Sequence, residues 1–134
     1  MTGVQTCALP IYDFSRRHER LGRPYLPRPD GRLAVLHAAS AAQALALPPL
    51  VEKLGQLGFT ALVSIGNAAS GPFHAPRLRP LLHQLAPVDA PQCVARFLDH
   101  WRPDIVLMSE SEIPPNLVIE TSRRKIPLDR KSVV

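Results

Sequence analysis

Leu36–Pro48 reads LHAASAAQALALP, and this stretch decides the fold. An apolar strand at Leu33–Leu36 runs into a turn of small residues, His37–Ser40, and then into a helical pattern. A second joint of the same kind follows at Ile105–Asn116, IVLMSESEIPPN. There Glu110 and Glu112 stand in a turn before a helix that a proline starts. Joints of this kind build the ligand crevices of open α/β sheets, because the loops at the carboxyl ends of parallel strands open on one rim.

Outward from these joints, the pattern alternates. Arg32–His37 reads as a short buried strand, Phe59–Ile65 as a second and His83–Ala86 as a short third. Asp104–Met108 is a further buried strand, and Lys125–Leu128 begins another. Between them, Ala41–Leu57 has apolar residues at helical spacing, with a kink predicted at Pro48 and Pro49 and a C-cap at Gly58. Pro91–Trp101 carries an amphipathic stripe (Val94, Phe97, Leu98, Trp101), and Pro114–Arg123 reads as a helix. Gly71, Pro72, Pro76 and Pro80 interrupt Ala68–Leu82, which predicts a broken helix over Ala75–Leu82. Tyr12–Gly31 is rich in arginine and proline, with a helical turn or two at Arg16–Leu21 and a linker at Arg23–Asp30. Strands alternating with helices predict an α/β fold: a Rossmann-like parallel sheet with helices on both faces.

The 134 residues suit one domain, and no apolar run is long enough to span a bilayer. A formal charge of +5 points to anionic partners: phosphate, anionic lipid or nucleic acid. The basic residues cluster at Arg16–Arg28 and Arg123–Lys131, where a solvated surface is the plain alternative. Aromatics make up 5% and do not interleave with the basic residues, which argues against a stacking platform for single-stranded nucleic acid. Cys7 and Cys93 make neither a disulfide framework nor a metal-ligand spacing, and Cys93 reads as a small buried hydrophobe. No histidine shows metal spacing, so no metal is expected. Met1–Ile11 and Asp129–Val134 read as translated sequencing adapter, which leaves one domain over residues 12–128.

Three strand-end turns hold the residues able to carry chemistry. Ser40–Gln43 fits a capping box, in which Ser40 takes one free amide and Gln43 reaches back to another. The other reading is that a helix start at a sheet's carboxyl rim gathers anions. Glu110 and Glu112 are placed for acid/base or charge-stabilising work, or to complement the dipole of the following helix. Ser64–Asn67 is a weaker third turn, and His37 reads as a packed, hydrogen-bonded histidine.

An ordered set of segments then resembles one family. They are Arg17–Gly22 (RHERLG), Arg28–Gly31 (RPDG), His37–Ser40 (HAAS) and Pro87–Pro91 (PVDAP). Arg96–Asp104 (RFLDHWRPD), Glu110–Glu112 (ESE), Pro115–Leu117 (PNL) and Ile126–Leu128 (IPL) complete it. Together they resemble the N-terminal half of 3-deoxy-D-manno-octulosonic acid (Kdo) transferases. The resemblance implies a GT-B glycosyltransferase whose acceptor-side domain is this chain. The activity it implies is transfer of Kdo from CMP-Kdo to the lipid A precursor lipid IVA, in lipopolysaccharide biosynthesis at the cytoplasmic face of the inner membrane. It implies no cofactor and no nucleic acid, and puts most of the donor site on a second domain. Gln43 falls at the family's general base and Glu110 at a transition-state stabiliser, while Ser40, Glu112 and Asn116 fall at acceptor-binding positions. Where the family has Glu, this chain has Gln43, so a degenerate homologue that binds a lipid or protein partner without transferring sugar is the alternative. The family's Trp before Pro-Asn is also replaced, by Pro114.

Overall fold

A computed structural model of the chain describes residues 17–24, 26–67, 82–109 and 114–131. Five parallel strands form one sheet in the order β3-β2-β1-β4-β5. They are β1 (Arg32–Ser40), β2 (Phe59–Asn67), β3 (His83–Leu85), β4 (Ile105–Ser109) and β5 (Leu128–Lys131). The helices are α1 (Arg17–Arg20), α2 (Ala41–Ala44), α3 (Pro48–Gln56), α4 (Pro91–Trp101) and α5 (Pro115–Arg123).

β1 is the axis of the sheet, with Leu36 paired to Val63 on one side and to Leu107 on the other. It is covered on both faces, as its nearly continuous apolar run requires. Side chains alternate along it. Ala34, Leu36 and Ala38 meet Ala44, Leu47 and Leu54 from α2, α3 and the turn between them. Leu33 and Val35 meet Val94, Phe97, Leu98 and Trp101 of α4 and Leu117 of α5. Each large side chain so buried contributes about 1.5–3 kcal/mol. The two layers differ in bulk: small alanines bring one helix pair close, while Trp101 and Phe97 fill the other side.

The predicted α/β architecture is what the structure has, with shifted boundaries. β1 runs on to Ser40 rather than ending at His37, because Ser40 still pairs with Asn67 across the sheet. The predicted kinked helix over 41–57 is two helices. Pro48 stands at the start of α3, where its missing amide hydrogen costs nothing, instead of bending a continuous helix. Gly58, at φ +90°, follows the end of α3 in the left-handed conformation a C-cap requires. The last strand starts at Leu128 and crosses the boundary expected there, because Lys125 (φ +56°) lies in the turn that ends α5. Residues 75–81 of the predicted broken helix lie outside the described residues; Leu82 is not helical.

At the amino rim two of the family-like segments, RPDG and WRPD, meet. The Arg28 guanidinium donates to the carbonyls of Trp101 (2.6 Å) and Arg102 (3.2 Å), closing the end of α4 where Arg102 turns left-handed at φ 41°. Asp104 accepts from Leu33 N at 2.8 Å and fixes the start of β1. Among the described residues no helix is long and apolar enough to cross a membrane.

Gly22 and Gly31 separate two effects. Both sit at strongly positive φ (+85° and +88°), but only at Gly22 would a Cβ lie 2.1 Å from a backbone atom, the Cys93 carbonyl oxygen. Gly31→Ala is expected to lower the unfolding free energy by roughly 1 kcal/mol and Gly22→Ala by roughly 2–3 kcal/mol, measured by urea denaturation. Equal losses would mean that α1 can move away from α4 at no cost.

Candidate functional site

Parallel strands impose one rim on every outgoing loop. β1 leads through α2 and α3 on one face of the sheet; α4 and α5 cover the other. Strand order therefore reverses between β1 and β4, and a crevice opens beyond their carboxyl ends. The chain leaves β1 at Ser40 and β4 at Ser109 on this same rim. Gln43 lies in the first of the two outgoing segments. Glu110 and Glu112 follow the second in sequence and lie outside the described residues. Of Ser40, the structure describes the backbone alone.

The Gln43 side chain turns back on its own strand, where its Oε1 accepts from Ala39 N at 2.9 Å. The capping interaction is thus displaced by one residue from the box expected at Ser40, because Ser40 still belongs to β1. With the oxygen facing a backbone N–H, the amide nitrogen at this position has only hydrogens to offer.

Asn116 is held within the fold. Its Nδ2 donates to the Asp89 carbonyl at 2.8 Å, and its backbone N to Asp89 Oδ2 at 3.1 Å. Asp89 Oδ1 accepts from Leu117 N, also at 3.1 Å. One carboxylate from the loop before α4 thereby caps the first turn of α5, where Pro115 has no N–H to satisfy. The dipole complement expected from Glu110 and Glu112 comes, among the described residues, from Asp89.

Behind this cap lies a small cavity of about 20 Å³, lined by His37, Ser64, Pro87, Asp89, Pro114 and Leu117. That is room for about one water. His37 is 6% exposed and its Nδ1 lies 3.5 Å from Ser64 Oγ, which makes it the packed histidine expected. Burial first, and then the charge of Arg20, push its pKa from 6.5 down to about 4, against an opposing pull from Asp89. Deeper still, Trp101 Nε1 donates to Gln84 Oε1 at 3.0 Å, while the buried Gln84 Nε2 has no partner among the described residues.

α1 docks across the same rim. The Glu19 carboxylate, 1% exposed, accepts from Leu85 N at 2.8 Å, and the Arg20 carbonyl accepts from Val88 N at 2.6 Å. Arg20 Nη1 donates to the Gly66 carbonyl. Two of the N-terminal arginines therefore serve internal carbonyls, Arg20 at this rim and Arg28 at the other. Sequence reading assigned no role to Glu19, Arg20 or Asp89. The available signal was their place in the family-like RHERLG and PVDAP segments, since an isolated acid or arginine in a loop has no spacing to give it away.

Comparison with known proteins bears on the whole of this fold. Residues 15–129 match the family described as 3-Deoxy-D-manno-octulosonic-acid transferase (kdotransferase). The chain is 33% identical over 118 residues to a protein of Arabidopsis thaliana named "Probable 3-deoxy-D-manno-octulosonic acid transferase, mitochondrial". That alignment covers 86% of this chain and 26% of the relative. It is 29% identical over 120 residues to the 3-deoxy-D-manno-octulosonic acid transferase of Haemophilus influenzae, covering 85% and 27% respectively. The chain thus spans about a quarter of the length of these relatives.

Two outcomes follow from the cap and the histidine. Asp89→Ala should cost about 1–2 kcal/mol and speed hydrogen exchange at the Asn116 and Leu117 amides, with Asp89→Asn intermediate. Unchanged exchange at those two amides would mean that α5 caps itself. For His37, the unfolded chain takes up a proton near pH 6.5, which the folded chain resists to about 4. The associated stability is complete above 6.5 and lost as pH falls toward 4, a change on the order of 3 kcal/mol. Denaturation at a series of pH values should show this loss, and His37→Gln should flatten it.

Proposed function

The chain belongs to the 3-deoxy-D-manno-octulosonic-acid transferase family, and we propose that it is the acceptor-side domain of a Kdo glycosyltransferase. In the complete protein, Kdo passes from CMP-Kdo to lipid IVA, the lipid A precursor of lipopolysaccharide, at the cytoplasmic face of the inner membrane. The observation that carries this reading is topological. The two outgoing segments that resemble the family's catalytic segments leave adjacent strands at the point where strand order reverses. A donor site on a second domain would face this crevice, and the GT-B arrangement needs both halves.

The chemistry is a displacement at the anomeric carbon. An acceptor hydroxyl oxygen forms the new glycosidic bond, the bond to the CMP phosphate breaks, and the hydroxyl proton must go to a base. A glutamate at position 43 would hold one oxygen against Ala39 N, as Gln43 does now, and turn the other to the incoming hydroxyl. Glu110 stabilises charge in the transition state, while Ser40, Glu112 and Asn116 contribute to the acceptor side. Asn116 does so through the loop it shares with Asp89.

Gln43 favours a second reading, in which the protein has kept the fold and the binding surface but not the transfer. An amide cannot take a proton at neutral pH, and loss of a general base typically costs about 10²–10⁴ in rate. The complete protein, assayed with CMP-Kdo and lipid IVA, separates the two. We expect Gln43→Glu to raise the transfer rate by about 10²–10⁴. Full activity without that change would sink the degenerate reading, and no transfer by either form would sink the first.

A further inference from the structure

We propose that Arg20 anchors a phosphate group of a substrate at the carboxyl rim of the sheet. Three contacts fix the residue there: Glu19 on Leu85 N, the Arg20 carbonyl on Val88 N, and the guanidinium on the Gly66 carbonyl. Those contacts tie α1 to the ends of β2 and β3 and set the guanidinium at the rim. A guanidinium carries five N–H donors, and the Gly66 carbonyl takes one of them. No carboxylate of the described residues forms an ion pair with it.

With no counter-ion among the described residues, this partly buried cation is suited to an anionic ligand that supplies the opposite charge. A guanidinium fork suits phosphate oxygens through paired hydrogen bonds. The neighbouring groups fit that occupant. His37 stays neutral and adds no competing charge, while the Asp89 carboxylate is engaged by the amides of Asn116 and Leu117. The backbone also approaches closely here: a Cβ on Gly66 would lie 3.3 Å from His37 Cε1, a tight contact.

The inference rests on the transferase reading only for which substrate brings the phosphate. Binding itself is measured without turnover, so the two can fail separately. Sulfate serves as the probe because it keeps its charge through the titration. An anion beside Arg20 cancels the field that Arg20 exerts on the His37 ring. Proton NMR of the His37 ring should therefore show its pKa, about 4, rising with sulfate, compared with chloride at equal ionic strength. In Arg20→Gln, which can still donate to Gly66, that pKa should start higher and ignore sulfate. Arg20→Lys, which keeps the charge without the fork, should respond at weaker affinity. No response in the unmodified chain, or the same response in Arg20→Gln, overturns the assignment.

In the complete protein, Arg20→Gln should raise KM for the phosphate-bearing partner by about 10–100-fold with a smaller change in kcat. A rise confined to the lipid acceptor identifies its phosphate as the ligand, and one confined to CMP-Kdo identifies the nucleotide's. Unchanged KM for both overturns the link to a substrate.

Discussion

The structure depends on β1 having a hydrogen-bonded neighbour on each edge. Leu36 meets Val63 across one edge and Leu107 across the other, and the strand is buried on both faces. A parallel strand cannot turn back on itself, so each connection must cross a face of the sheet to reach its next position. With β2 to one side and β4 to the other, the crossovers cover opposite faces and their loops emerge side by side. Placement of the candidate site follows from this pairing before any polar residue is considered.

Polar side chains then tie the rims. At the carboxyl rim, Glu19 and Asp89 are both carboxylates satisfied by backbone N–H groups, one at the end of β3 and one at the start of α5. At the amino rim, Arg28 and Asp104 do the complementary work on a helix end and a strand start. In each case a charge meets a backbone dipole that regular structure leaves unsatisfied, which is stronger than a neutral contact. The family-like segments of the sequence thus sort into two sets. RPDG and WRPD close the amino rim, whereas RHERLG, PVDAP and PNL assemble around the crevice.

Much of this was legible because the apolar residues carry the fold. The stripe from Val94 to Trp101 gave α4 with its observed bounds, and the apolar runs gave β1, β2 and β4. The misreadings have physical causes. Ala38, Ala39 and Ser40 have no side-chain preference for a strand, so only pairing with a neighbour extends β1 that far. Pro48 is equally at home kinking a helix or starting one, and tertiary packing chose the second. The rim residues were the least legible. Asp89 caps a helix 26 positions further on, counting to Pro115, and no local pattern records such a partner.

The break between α2 and α3 has a consequence for how this protein can change. Gln43 stands on a four-residue helix that the turn before Pro48 separates from α3, and its side chain returns to the strand it came from. A glutamate would accept the same backbone hydrogen. The contact that ties α2 to β1 therefore does not distinguish acid from amide, and that tether survives the exchange of one for the other.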